Sequence, residues 1–350
     1  MKKVIVGIVA AGLGCMVWLA GCKKDEIDPR TWRPVSFEVP KGWPQPVYTF
    51  TNNPLTFEGF ELGRKLFYDA RLSRDNTVSC GSCHQQVAAF AHIDHDISHG
   101  IENRLGSRNS PMIANMAWNT SFFWDGGVNH LESQPVAPIV NPVEMDMTVP
   151  EVIERLNADA DYRSRFKKVF GVDTANSQRV FRAMAQFMAA MVSSNSKYDK
   201  YVANPGAGYF SEQEARGLSL FRQHCASCHK EPLFSDFSFR NNGLLPKAGV
   251  NDSGRAHITG LAEDRYKFKV PSLRNIAVTR PYMHDGRIAT LAEAVEHYRT
   301  GVAAMPTTDA LVAGGISMSD QDKKDIISFL ETLTDSTFIT NPLFAEPAKQ

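Results

Sequence analysis

The chain has 350 residues and carries 38 basic against 38 acidic side chains, so its formal net charge is zero. That balance excludes the basic footprint of a nucleic-acid binder. With 43% hydrophobic residues, the chain is long enough to bury two separate cores.

Met1-Lys2-Lys3 precedes an apolar run over residues 4–20 that ends in Leu19-Ala20-Gly21-Cys22. Residues 1–21 therefore read as a bacterial lipoprotein signal peptide, with lipid attached at Cys22. A retained transmembrane anchor needs about the same length, but a cysteine directly after Leu-Ala-Gly favours cleavage and lipidation. No later run is long enough to span a bilayer, so the membrane is expected to be met only through the lipid. The expected location is the cell envelope, periplasmic or at the outer membrane. Residues 22–57, with Pro29, Pro34, Pro40, Pro44, Pro46 and Pro54, read as an extended tether.

Two pentapeptides carry the chemistry: Cys80-Gly-Ser-Cys83-His84 and Cys225-Ala-Ser-Cys228-His229. In Cys-x-x-Cys-His the thiols bond the vinyl groups of a c-type haem and the imidazole ligates its iron. A structural zinc site does not require a histidine after each pair. A redox dithiol would need a βαβ context that neither motif has. A disulfide across two residues is a poor staple. Cys15 leaves with the signal and Cys22 takes the lipid, so two covalent haem c groups consume the remaining four of six cysteines. Haem attachment takes place outside the bacterial cytoplasmic membrane, in agreement with the export signal. Losing Lys2 and Lys3 and gaining the haem propionates tips the mature protein to the acidic side.

Helix signals dominate. Thr148-Val-Pro150-Glu151 has capping-box spacing and opens an amphipathic run through Phe166 and Phe170. Residues 177–194 predict a helix whose buried face carries Phe181, Met184, Phe187 and Met188, the methionines as core filler rather than iron ligands. Gly and Pro cluster at Asn204-Pro205-Gly206, the expected break between a haem domain over 58–204 and another over 205–340. Ser211 to Glu214 is a second box, leading a helix into Cys225, and Ser319 to Asp322 a third, ahead of Ile326, Ile327, Leu330 and Leu333.

The halves repeat each other. Gly63-Arg-Lys-Leu66-Phe67 precedes the first haem motif and Gly217-Leu-Ser-Leu220-Phe221 the second. Arg108-Asn109 answers Arg274-Asn275, Phe123-Trp124-Asp125-Gly126 answers Met283-His284-Asp285-Gly286, and Leu131 answers Leu291. Duplication of one cytochrome c-like unit accounts for this, with an offset of 160 residues in the later segments. The expected fold is mainly α, two cytochrome c-like helical domains with one haem each.

With these motifs in view, the chain resembles the bacterial di-haem cytochrome c peroxidases and their relative MauG. The most specific segments are Leu62-Gly-Arg-Lys-Leu-Phe-Tyr-Asp69, Arg108-Asn-Ser-Pro111, Phe123-Trp-Asp-Gly126, Pro271-Ser-Leu-Arg-Asn275 and Thr279-Arg-Pro-Tyr-Met-His-Asp-Gly286. The resemblance implies that peroxide reacts at the His84 haem and that the His229 haem stores electrons. It implies an electron bridge at Trp124 and polar residues Gln134 and Glu144 over the first haem, Glu144 shuttling the proton for O–O cleavage. It implies a calcium ion between the domains, held by Asn109 and the carbonyls of Thr279 and Pro281. It also implies a small cytochrome c or cupredoxin as electron donor, and a homodimer.

The resemblance places the second haem's sixth ligand at Tyr298, where the peroxidases carry Met and MauG carries Tyr; His297 and Met305 are rivals. A phenolate favours ferric iron and lowers the potential. Subtracting the repeat offset from Tyr298 gives Pro138, which has no donor, so the first haem keeps an open position. His99 matches a distal histidine that blocks this haem in resting peroxidases, with His92 and His95 in the same loop. The expected function is reduction of hydrogen peroxide. The alternatives are a MauG-like oxidase acting on a partner protein, and an electron carrier, against which Pro138, Gln134 and Glu144 argue.

Overall fold

The computed structural model describes residues 35–93 and 95–348. The expected signal peptide, the lipid site at Cys22 and the start of the tether lie outside the described residues. Among the described residues, no helix is long and apolar enough to cross a membrane.

The architecture is mainly helical. In the first half, α1 (Phe57–Phe67), α2 (Val149–Ala158), α3 (Ala160–Phe170) and α4 (Ser177–Ala190) surround a core of Leu62, Leu66, Phe67, Phe166, Met184 and Phe187. In the second, α5 (Lys197–Ala203), α6 (Glu212–His224), α7 (Leu291–Glu296) and α8 (Asp320–Glu331) enclose Tyr198, Phe221, Phe234 and Phe329. Helix α5 precedes Asn204 yet packs Tyr198 into the second core, while Phe338 and Phe344 near the C-terminus return to the first. Two-residue strands β1 (Phe239–Arg240) and β2 (Phe268–Lys269) pair antiparallel, Phe239 opposite Lys269.

The capping signals are realised. Thr148, Ser211 and Ser319 each accept from the third helical backbone N–H, and Glu151, Glu214 and Asp322 return the bond. The run from Thr148 to Phe170 differs from the expected single helix, because it is broken at Asp159. That residue is extended (φ −92°, ψ 121°), and its carboxylate accepts from the N–H groups of Asp161 and Tyr162, which starts a new helix. The helix expected over 177–194 ends at Ala190. Beyond it, Asn115 holds the backbone of Ser193 from both sides, its Oδ1 accepting from the N–H at 2.8 Å and its Nδ2 donating to the carbonyl at 3.2 Å.

The stretch read as a tether has no helix over 35–55. Its described part lies on the first half, with Phe37, Trp43 and Phe50 packed on that core. Trp118 joins this contact, and its Nε1 donates to the Pro44 carbonyl at 2.8 Å.

The repeat is visible in three dimensions. Helix α1 lies against α4, and α6 against α8, at a separation only glycine permits. A Cβ on Gly63 would sit 2.0 Å from the Ala183 carbonyl oxygen, and one on Gly217 2.0 Å from that of Asp325. Downstream, Asn115 (φ 57°), Phe123 (φ 66°) and Gly126 (φ 68°) are matched 160 residues later by Asn275 (φ 60°), Met283 (φ 73°) and Gly286 (φ 67°). The partner of Asn275 is thus Asn115, not Asn109 as the Arg-Asn pairs suggested. Arg274 is fully buried in a bidentate pair with Asp199, whereas Arg108 bridges Asp125 and Asp252.

Replacing Gly217 by Ala must push α6 and α8 apart, an overpacking cost of about 1–3 kcal/mol. Calorimetry of the haem-loaded protein is expected to show a melting point lowered by about 2–4 °C for each kcal/mol. Gly206→Ala, which meets only Asn204 Oδ1 at 3.9 Å, should leave it unchanged. Equal melting points for the two variants would refute the close crossing.

Candidate functional site

Helices α1 and α4 form one wall of a cavity of about 550 Å³ that carries Cys80, Cys83 and His84 on another. His84 points Nδ1 at the Phe90 carbonyl oxygen, 2.8 Å away. That bond fixes the proton on Nδ1 and leaves Nε2 as the donor for iron. Burial pushes the imidazole down to about 4, which keeps it neutral. Phe90 adopts φ 62°, and its counterpart at the second site, Phe234, φ 54°. Positive φ is costly for a bulky residue, and in both halves it goes with a carbonyl aimed at the proximal imidazole.

The same cavity is lined by Gln134, Pro138, Glu144 and His99. Glu144 Oε1 accepts from Asn141 Nδ2 at 2.7 Å. Burial raises its pKa, with the Asn141 bond in opposition. The His99 loop reaches this wall because Gly100 has no side chain; a Cβ there would lie 2.1 Å from the Glu144 carbonyl oxygen. The ring of His99 is 4.7 Å from that of His95 and 5.6 Å from that of His92.

The second cavity, about 1350 Å³, carries Cys225, Cys228 and His229. His229 Nδ1 faces the carbonyls of Phe234 (3.1 Å) and Pro271 (3.2 Å), again leaving Nε2 free. Tyr298, Met283 and Met318 line this cavity; His297 and Met305 do not. His297 Nε2 instead lies 3.0 Å from the Asn242 carbonyl. The Tyr298 hydroxyl is 3.4 Å from Asn242 Nδ2, and burial pushes its pKa up. No disulfide joins Cys80, Cys83, Cys225 and Cys228. Each cavity therefore offers two thiols, a neutral imidazole with a fixed tautomer and mostly apolar walls, a donor set that fits c-type haem.

Trp124 borders the second cavity and also a third space of about 1070 Å³ that reaches His84 and Gln134. Its Nε1 donates to the Asn109 carbonyl at 2.9 Å. Asn109, Thr279 and Pro281 line this third space together. They offer neutral oxygens with no carboxylate among the lining residues, a donor set that would leave most of a calcium ion's six to eight positions to water.

Three residues at these sites escaped sequence reasoning. Asn242 braces Tyr298 and contacts Met283 Sδ at 3.4 Å. Lys269 borders both the second cavity and the third space. Burial lowers its pKa to about 8 while Asp125 pulls it up, and its Nζ donates to the Ser121 carbonyl at 2.6 Å. Asp252 joins Asp125 in clasping Arg108 across the halves, at 2.7 and 2.6 Å. The alternation of Tyr266-Lys-Phe-Lys-Val270 is the one sequence signal that could have flagged Lys269, as a strand face opposite Phe268.

Residues 57–206 match the family model described as di-haem cytochrome c peroxidase, and residues 214–334 that of cytochrome c. The methylamine utilization protein MauG of Methylorubrum extorquens is 35% identical over 85% of this chain and 83% of its own length. The cytochrome c551 peroxidase of Nitrosomonas europaea is 36% identical over 83% of each. Among solved structures, a MauG-like protein associated with microbial copper homeostasis superposes with a TM-score of 0.80 at 34% identity, covering 90% of this chain and all of that one. The two halves are thus cytochrome c-like regions, each binding one haem c.

A ligand role for Tyr298 predicts that its exchange for Met raises the midpoint potential of one haem and leaves the other unmoved, because a neutral thioether does not favour ferric iron as a phenolate does. Spectroelectrochemical titration reads both potentials. Two unchanged potentials would remove Tyr298 from the ligand set.

Proposed function

This chain belongs to the di-haem cytochrome c peroxidase and MauG family, and on that premise we propose that it reduces hydrogen peroxide to water in the cavity of His84. Two electrons and two protons are consumed for each peroxide, and two waters leave. The carrying observation is the asymmetry of the two cavities: Pro138, Gln134 and Glu144 stand in the first, and Tyr298 in the second. Bound haem supplies redox-active iron at each site.

Glu144 handles the proton. Its carboxyl is held by Asn141 and its pKa is raised by burial, and in this place it can take a proton from one peroxide oxygen and return it to the other. The Gln134 amide orients peroxide without changing charge. Trp124, bordering the spaces on both sides, is the route for electrons arriving from the second half. His99, which lines the cavity of His84, would be the residue that holds the first haem closed until the second is reduced. The neutral oxygens of Asn109, Thr279 and Pro281 would hold calcium between the halves, with water completing its shell. Electrons come from a small cytochrome c or cupredoxin, and the lipid at Cys22 holds the enzyme in the envelope facing the periplasm. A second reading, oxidation of a partner protein's side chains, is favoured by Tyr298 and by the likeness to MauG.

Peroxide turnover with a reduced small cytochrome c tests the first reading, and peroxide consumed without donor oxidation would favour the second. Glu144→Gln should lower turnover by about 10²–10⁴-fold with haem content unchanged. Electron paramagnetic resonance tests the switch: a high-spin ferric signal should appear only on half-reduction. The same signal in the fully oxidised protein would eliminate His99 as a resting ligand.

A further inference from the structure

The loop between the first haem motif and Leu105 gathers three histidines. One ring nitrogen from each of His92, His95 and His99 lies within 4.8 Å of the others. The rings of His92 and His95 stack at 5.0 Å with 18° between their planes, and that of His99 closes on His95 edge-on at 4.7 Å. His92 is buried, His99 half-buried and His95 exposed, so the cluster is anchored on the protein side and open on the solvent side.

The backbone holds this arrangement at both ends. Gln85 N–H donates to the Ala91 carbonyl at 3.0 Å ahead of the cluster, and Gly100 N–H to the Arg104 carbonyl at 2.9 Å behind it. In between, Asp96 is pressed against the second half. A Cβ on Gly286 would meet the Asp96 carbonyl oxygen, and Lys247 Nζ lies 3.3 Å from Asp96 Oδ2. The imidazoles are therefore placed before any ion arrives, which lowers the ordering cost of binding one.

We infer that His92, His95 and His99 form a three-imidazole site for a first-row divalent cation such as Zn²⁺ or Cu²⁺, beside the first haem cavity. Three neutral nitrogens suit these borderline ions and are wrong for calcium or magnesium, which take oxygen. Three protein ligands with an open side leave a fourth position to water. The site also shares His99 with the cavity of His84. A cation held here therefore constrains the same side chain that borders the haem cavity.

The test is zinc titration of the haem-loaded protein in excess calcium, followed by desalting and elemental analysis. One zinc per chain beyond the two haem irons is expected. His95→Ala removes an exposed ligand with little risk to folding and should weaken binding by at least ~100-fold, since even loss of an outer-shell partner costs up to that much. His257→Ala, a surface histidine elsewhere, should leave binding unchanged. No retained zinc, or wild-type affinity in His95→Ala, would overturn the site. The metal count does not depend on turnover, so its failure leaves the peroxidase reading standing, and the reverse holds.

Discussion

The closeness of two helix crossings is the constraint on which the rest of the structure depends. Gly63 lets α1 touch the backbone of α4, and Gly217 lets α6 touch that of α8, each at a distance no side chain survives. The Leu and Phe that follow each glycine then fall into the core, Leu66 and Phe67 in one half and Phe221 in the other. From there the chain runs to the Cys-x-x-Cys-His turn with its thiols facing a cleft. Among the described residues the cysteines form no disulfide, so packing of these helix pairs and the haem thioethers, rather than disulfides, must hold each cleft in shape.

On this duplicated frame the two cavities have diverged. Both orient the proximal imidazole by the same device, a phenylalanine at positive φ whose carbonyl accepts from Nδ1. They differ on the other side. The turn holding Pro138 contributes no donor to the first cavity, whereas that holding Tyr298 sends a phenol into the second. Burial raises both the Tyr298 phenol and the Glu144 carboxyl, with different consequences. A phenol that resists ionisation gives up its proton only to a strong positive charge, while a carboxyl with a raised pKa holds its proton to higher pH.

The halves are joined by charge as well as by packing. Arg108 from the first half lies between Asp125 and Asp252, and the pair is largely shielded from water, where such contacts are worth more than on the surface. Lys269 adds a second cation to the seam, beside Trp124. The loop of His92, His95 and His99 is clamped at the same seam through Asp96. The first cavity, the indole and the three-histidine cluster therefore lie along one seam, joined by the backbone of residues 95–109.

Much of this was readable from the chain alone. Local signals that act within a few residues sufficed for the haem motifs, the capped helices and the duplication, because a cap or a thioether needs only near neighbours. The same reasoning overran at Asp159 and at Ala190. A side chain there rewrote the hydrogen bonding, in one case from within the turn and in the other from Asn115, far away in sequence. Tertiary structure alone decided which of Tyr298, His297 and Met305 faces the second cavity, since adjacent residues on a helical turn point in different directions and only packing says which direction is inward. It alone brought Lys269 and Asp252 to the seam, and it drew three loop histidines to within reach of one ion. The contacts of Lys269 and Asp252 join segments distant along the chain, which no periodicity or spacing encodes, and the histidines, though near in sequence, converge only in the folded loop.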